Sequence, residues 1–255
     1  MKTPLIMAAM ALGLAAAPAQ AADFTINFAS GNSSASNSLT YSTSGLSVVV
    51  SGWTVNSSGV VTNGRVQTWS GGGLGVISDG ESGTSPTHTI DNLGGAVDFV
   101  VMQFNQAVNL RSATLNIFDS TSPYNTCPAS GCDGDAMFYY GSAAMPTTLA
   151  SLTTAINDKS YGTLNGLLAG SFTSPGNGTS FSRTEAAGNT FSRVWIIAAD
   201  GGAYDRDDAF KLSAIKLRNL SVPEPATWMT MIVGFGVAGT ALRRSRRDQR
   251  KAIAA

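Results

Sequence analysis

Apolar and polar residues alternate in short blocks through the middle of the chain, and Gly, Asn, Asp and Pro separate the blocks. Alternation with period two marks a strand with one buried face. Leu46, Val48 and Val50 follow it. The pattern predicts strands over residues 24–28, 46–54, 59–62, 65–69, 96–104, 108–118, 137–140, 191–198 and 210–220. Two of these change parity part-way. Val108 and Leu110 give way to Ala113, Leu115 and Ile117, and Phe210 and Leu212 give way to Ile215 and Leu217. One extra residue in a strand, a β-bulge, produces such a shift. Residues 149–156 read as the only short helix or turn. Nine or more short strands in about 200 residues predict an all-β fold, an antiparallel jelly-roll-like β-sandwich.

Both ends break the alternation. Lys2, an apolar run over residues 5–17 and the small-x-small triplet Ala19-Gln20-Ala21 predict a secretory signal peptide, residues 1–21, cut after Ala21. The run is shorter than the ~20 residues of a membrane span. At the other end, residues 226–242 are 17 residues without charge, at the lower limit for a transmembrane helix. Arg243, Arg244, Arg246 and Arg247 follow and predict a cytoplasmic stop. Residues 22–221 are then the exported domain and residues 248–255 a cytoplasmic tail. Trp228 falls at the outer boundary, where an amphipathic ring is at home. Pro223 and Pro225 keep Glu224 extended, so Val222-Pro223-Glu224-Pro225 is a stiff peptide that a processing enzyme can grip.

Charge sharpens this division. Residues 222–255 hold six cations and two anions, whereas residues 22–221 hold 9 cations and 14 anions. A mildly acidic domain argues against nucleic acid as partner, because phosphate binding needs a basic face. With 28 Gly and 13% charged residues, the composition suits strands and turns, and 43% hydrophobic residues suffice for a core.

Candidate chemistry is sparse. Export means an oxidising compartment, where Cys127 and Cys132 in "CPASGC" predict a small disulfide loop. A redox dithiol has two residues between its cysteines, not four, and a metal site needs further ligands. His88 is the only histidine, no G-x-S-x-G elbow is present, and His88 is expected to be a structural hydrogen-bonding residue. Carboxylates cluster at Asp79 and Glu81, at Asp133 and Asp135, and at Asp205, Asp207 and Asp208. The expectation is solvated turn residues. Hard oxygen donors on loops also suit Ca²⁺, with Asp205, Asp207 and Asp208 the candidate ligands and no other cofactor expected. Trp53, Trp69, Tyr139 and Tyr140 are candidates for a sugar-stacking platform, although Trp53 and Trp195 are expected in the core.

The order "VPEP", Trp228, "MIVGFG" with Gly234, Phe235 and Gly236, then clustered Arg resembles the PEP-CTERM sorting signal in its PEPxxWxxMIxGFGxxG form, over residues 222–247. The resemblance implies processing by an exosortase, an integral membrane transpeptidase of exopolysaccharide-producing Gram-negative bacteria. The precursor would sit transiently in the inner membrane with its domain in the periplasm. After cutting near Pro-Glu-Pro, the domain would pass to the cell surface or extracellular matrix. "GGLGV" at 72–76 with residues 88–110, and "VWIIAA" at 194–199 with residues 207–217, are similar to a recurring domain of PEP-CTERM surface proteins that has no assigned chemistry. The expectation is a non-enzymatic surface or matrix protein whose partners are an exosortase and extracellular polysaccharide. The alternative is a secreted carbohydrate-active enzyme or carbohydrate-binding module with the same signal.

Overall fold

The computed structural model describes residues 23–43, 45–78, 81, 88–118, 134–174, 182–187, 189–201, 208–219 and 225–253. The signal peptide, Cys127 and Cys132 lie outside the described residues, as do Asp205, Asp207, Val222, Pro223 and Glu224.

Residues 22–220 form one compact unit. Among the described residues, fourteen strands join into a single curled antiparallel sheet. They are β1 (Asp23–Asn27), β2 (Ser38–Thr43), β3 (Leu46–Val55), β4 (Val60–Asn63), β5 (Arg65–Trp69), β6 (Gly73–Ile77), β7 (Ile90–Asp91), β8 (Val97–Ile117), β9 (Ala136–Gly141), β10 (Lys159–Ser160), β11 (Leu168–Ser174), β12 (Ser182–Ala186), β13 (Phe191–Ala199) and β14 (Ala209–Asn219). Two short helices, α1 (Leu149–Ile156) and α2 (Tyr161–Asn165), pack on one face.

The sheet curls into a sandwich around β8. Expected as two strands, β8 is one strand of 21 residues. Its first half pairs with β3 and β13, and its second half pairs with β12 and β14. Ser192 pairs with Val108 and Val194 with Gln103, so the register jumps where β8 changes layer. Pairing carried by both halves outweighs the polar break at Asn105 and Gln106 that suggested two elements.

Both expected bulges are present. In the β14–β8 ladder Leu212 faces Leu115 and Ala214 faces Thr114, which leaves Ser213 as the inserted residue. Further along, Lys216 faces Ser112 and Leu217 faces Leu110, which leaves Arg111 as the insertion on β8. Each insertion returns the next apolar residues to the core face.

Two apolar cores result, one on each side of the layer that holds β3, β8, β13 and β9. Val100, Met102, Phe104, Trp195 and Ile197 enter the core between the layers, with Leu115, Phe210 and Leu212 from the opposite layer. Phe99, Val101, Val194, Ile196 and Ala198 enter a second core beneath α1 and α2, with Trp53, Leu152 and Ile156. This layer is buried on both faces, which explains the unbroken apolar runs at 99–102 and 194–199. Trp53 and Trp195 are fully buried, as expected. Each indole N–H finds an acceptor, Ser51 Oγ at 2.9 Å and the Val108 carbonyl at 3.1 Å. Helix α1 has the expected bounds, and Thr148 caps it by accepting from the Ser151 N–H, but it is not the only short helix, since α2 follows it.

The C-terminal segment forms a separate helix, α3 (Pro225–Ile253), 29 residues long. It starts with Pro at its first position, where a missing N–H costs nothing. It also runs past the expected end at Leu242, through the arginines. Arg243, Arg244 and Arg246 are exposed. Among the described residues no helix is long and apolar enough to cross a membrane.

Candidate functional site

Three places in the sandwich unit hold polar or shaped features, and the C-terminal helix is a fourth. The first is a cavity of about 430 Å³ against the outer face of the two-faced layer. Phe99, Ile196 and Ala198 line it from the sheet, and Leu164 and Tyr161 line it from α2. Tyr139 and Asp200 add the polar groups. Burial pushes the Tyr139 phenol up, and the neighbouring Tyr161 and Asp200 push it further, so it stays a neutral hydroxyl at physiological pH.

The second is a shallow, open groove of about 720 Å³ beside the β9–α1 connection. Ser142, Thr147, Thr148 and Ser151 give it hydroxyls, and Phe191 and Arg193 border it. Phe191 is 39% exposed, high for a ring of its size. The Arg193 guanidinium donates to the Asn105 carbonyl at 2.9 Å, which holds its position.

The third is a buried polar network at one edge of the sandwich. Asp98 of β8 accepts from Thr54 Oγ1 and Ser78 Oγ, both at 2.6 Å. Burial raises its carboxyl well above the usual range, and the nearby Asp91 charge raises it further, against the two hydroxyls. Asp91 accepts from Thr89 Oγ1 at 2.7 Å, and burial raises it too. His88 is buried, with Nδ1 3.1 Å from Glu81 Oε2, and Glu81 also accepts from the Ser78 N–H. The histidine is thus tied into a structural network, as expected.

Asp208 is the one proposed calcium ligand that is described. It is fully buried rather than a solvated turn residue. Its carboxylate accepts from Asn92 Nδ2 at 2.7 Å and from the Asp135 N–H at 2.6 Å. The same Asn92 amide donates to the Asp200 carbonyl, and Asn92 Oδ1 accepts from the Asp208 N–H. Asp208 and Asn92 therefore clasp three connections together. Among the described residues no three His, Cys, Asp or Glu side chains gather to hold a metal.

The four aromatics weighed as a sugar platform are scattered. Trp53 is in the second core, Tyr140 packs 5.8 Å from Trp195, Tyr139 faces the cavity, and Trp69 lies beneath Lys211. Lys211 went unremarked in the sequence, although a lysine between Phe210 and Leu212 is the signal for a cation near a core.

In α3, Ile232, Val233, Phe235, Val237 and Leu242 are all largely exposed. Those positions cover more than half of the helix circumference, a broader apolar surface than a narrow stripe.

Residues 221–247 carry the PEP-CTERM protein-sorting motif. This motif covers the Pro-Glu-Pro peptide, the apolar run and the arginine cluster, one residue wider at its start than the resemblance read from the sequence. No curated protein matches the chain. One solved structure, titled "X-ray structure of GH31 CBM32-2 bound to GalNAc", matches 79% of this chain and 99% of its own at 10% identity, with a TM-score of 0.23. Similarity of that degree adds nothing to the functional assignment of the sandwich.

Proposed function

We propose that this chain is an exported, non-enzymatic cell-surface or matrix protein whose C-terminal tail an exosortase removes. The observation that carries this is the PEP-CTERM motif over residues 221–247. Two physical features support it. The part of α3 before the arginines is uncharged and mainly apolar, a surface at home in lipid or in a protein interior and not in water. The charge-free stretch 226–242 is 17 residues, short for a span, and flanking Arg243 and Arg244 can reach back to the interface. The arginines stay cytoplasmic and place residues 22–221 outside. Secretion by a signal peptide over residues 1–21 supplies the matching orientation.

Extracellular polysaccharide is the partner this location offers. The open groove beside Phe191 suits it, with hydroxyls to exchange hydrogen bonds and an exposed ring to stack against a sugar face.

The sorting test is direct. Replacing Pro223, Glu224 and Pro225 together by alanine should leave the uncut precursor in the inner membrane, whereas the wild-type surface form should lack residues 226–255 by intact mass. Normal release of the triple variant, or a surface form that keeps its tail, refutes the proposal.

A further inference from the structure

We propose that the cavity beneath α2 is a binding site for a small apolar molecule that carries an amine or hydroxyl group. The proposal rests on the cavity alone and not on how the protein is sorted.

This cavity measures about 430 Å³, within the range of small-molecule sites. Its walls are mainly apolar: Phe99, Ile196, Leu164 and Leu168 surround most of it. Water gains few hydrogen bonds there, so an apolar body would displace it favourably.

Gly201, one of the lining residues, has no side chain to narrow the space: a Cβ added there would meet only Val97 Cγ2, at 3.5 Å. Gly59, also in the lining, is glycine because its φ of 75° lies in the left-handed region.

The polar groups set the ligand class. Tyr139 and Tyr161 bring hydroxyls, and Asp200 brings a carboxylate. The Asp200 backbone is pinned at both ends, its N–H to the Asp135 carbonyl at 3.1 Å and its own carbonyl to Asn92 Nδ2 at 2.6 Å. No Lys, Arg or His is among the described lining residues. An acceptor-only group without a cation favours a donor and repels an anion. Fatty acids, phosphates and other anions are thus disfavoured, and a neutral or cationic hydrogen-bond donor is selected.

The test uses a matched pair of probes with the same ring, tryptamine and indole-3-acetate. Isothermal titration is run on the full chain in phosphatidylcholine nanodiscs, with empty discs subtracted. Tryptamine should bind at least about tenfold more tightly than indole-3-acetate, a difference of ~1.4 kcal/mol. Gly201→Leu should fill the cavity and weaken tryptamine at least about tenfold with the melting temperature retained. Asp200→Asn should abolish the preference between the probes while both still bind. If Gly201→Leu melts early, Tyr139→Phe, which removes one hydroxyl and keeps the ring, serves in its place and should weaken tryptamine. No heat with either probe up to about 1 mM, equal affinity for the two, or unchanged binding by the cavity variants overturns the proposal.

Discussion

The ammonium of Lys211 lies 4.0 Å from the centre of the Trp69 ring, with the Phe118 ring at 4.8 Å on another side. Lys211 is only 2% exposed. A cation held against aromatic faces recovers part of the hydration it loses. Its aliphatic stem adds packing, with Cδ 3.6 Å from where a Cβ on Gly72 would stand.

Burial lowers the Lys211 ammonium to about 8. The unfolded lysine titrates near 10.4, so between about pH 8 and 10 the unfolded chain binds more protons than the folded one. Stability from this group therefore rises as pH rises through that window and is absent below it. Urea melts at pH 7.5, 8.5 and 9.5 should show the rise in the wild type and a flat profile in Lys211→Met.

Asp98 carries the opposite sign. Its folded carboxyl is held well above the usual range. As pH rises past about 3.9, unfolded chains ionise while the folded group keeps its proton, so stability falls until the raised value is passed. Asp98→Asn keeps an oxygen acceptor for Thr54 and Ser78 and removes the charge. It should match the wild type near pH 4 and exceed it at pH 7 in chemical denaturation. Asp98→Ala removes the acceptor that Thr54 and Ser78 share, leaving them only the 2.9 Å contact between their own hydroxyls, and should cost about 1–3 kcal/mol relative to Asp98→Asn.

The Asp208–Asn92 clasp should matter for the whole edge of the sandwich. Asp208→Ala takes one acceptor from the Asn92 amide and one from the Asp135 N–H inside the protein, and about 1–3 kcal/mol of stability should be lost. Hydrogen exchange should then quicken at Asp135 and Ala136, while α1 keeps its protection.

Gly75 tests close backbone approach. A Cβ there would run into the His88 carbonyl, which the β6 backbone passes. Gly75→Ala should cost about 1–3 kcal/mol or more, because a backbone atom, unlike a side-chain tip, cannot swing away. Gly31→Ala meets nothing within 4 Å and should change thermal stability by no more than ~0.5 kcal/mol, the size of an ordinary surface change.

Some strands were visible in the amino-acid order and others were not. The strands found early hold alternating or continuous Val, Ile, Phe and Trp, as at 46–54 and 191–198. Ser38–Thr43 and Ser182–Ala186 were missed, because they are mostly polar and owe their extended form to pairing with β3 and β8. Gly73–Ile77 was missed for another reason: all five residues are buried, so no polar alternation marks it.

By itself the sequence determined that the domain before the tail is mostly β, that its strands carry bulges, and that its last segment is a sorting signal. Those are matters of order and period along one chain, which neighbours do not alter. Tertiary structure alone decided that residues 97–117 form one strand serving two layers, that Lys211 meets Trp69, that Asp208 meets Asn92, and that a cavity stands between Tyr139 and α2. These join groups far apart in the chain, brought together by ladder register and by apolar surface leaving water. No local pattern encodes such partners, because each depends on where another strand has already settled.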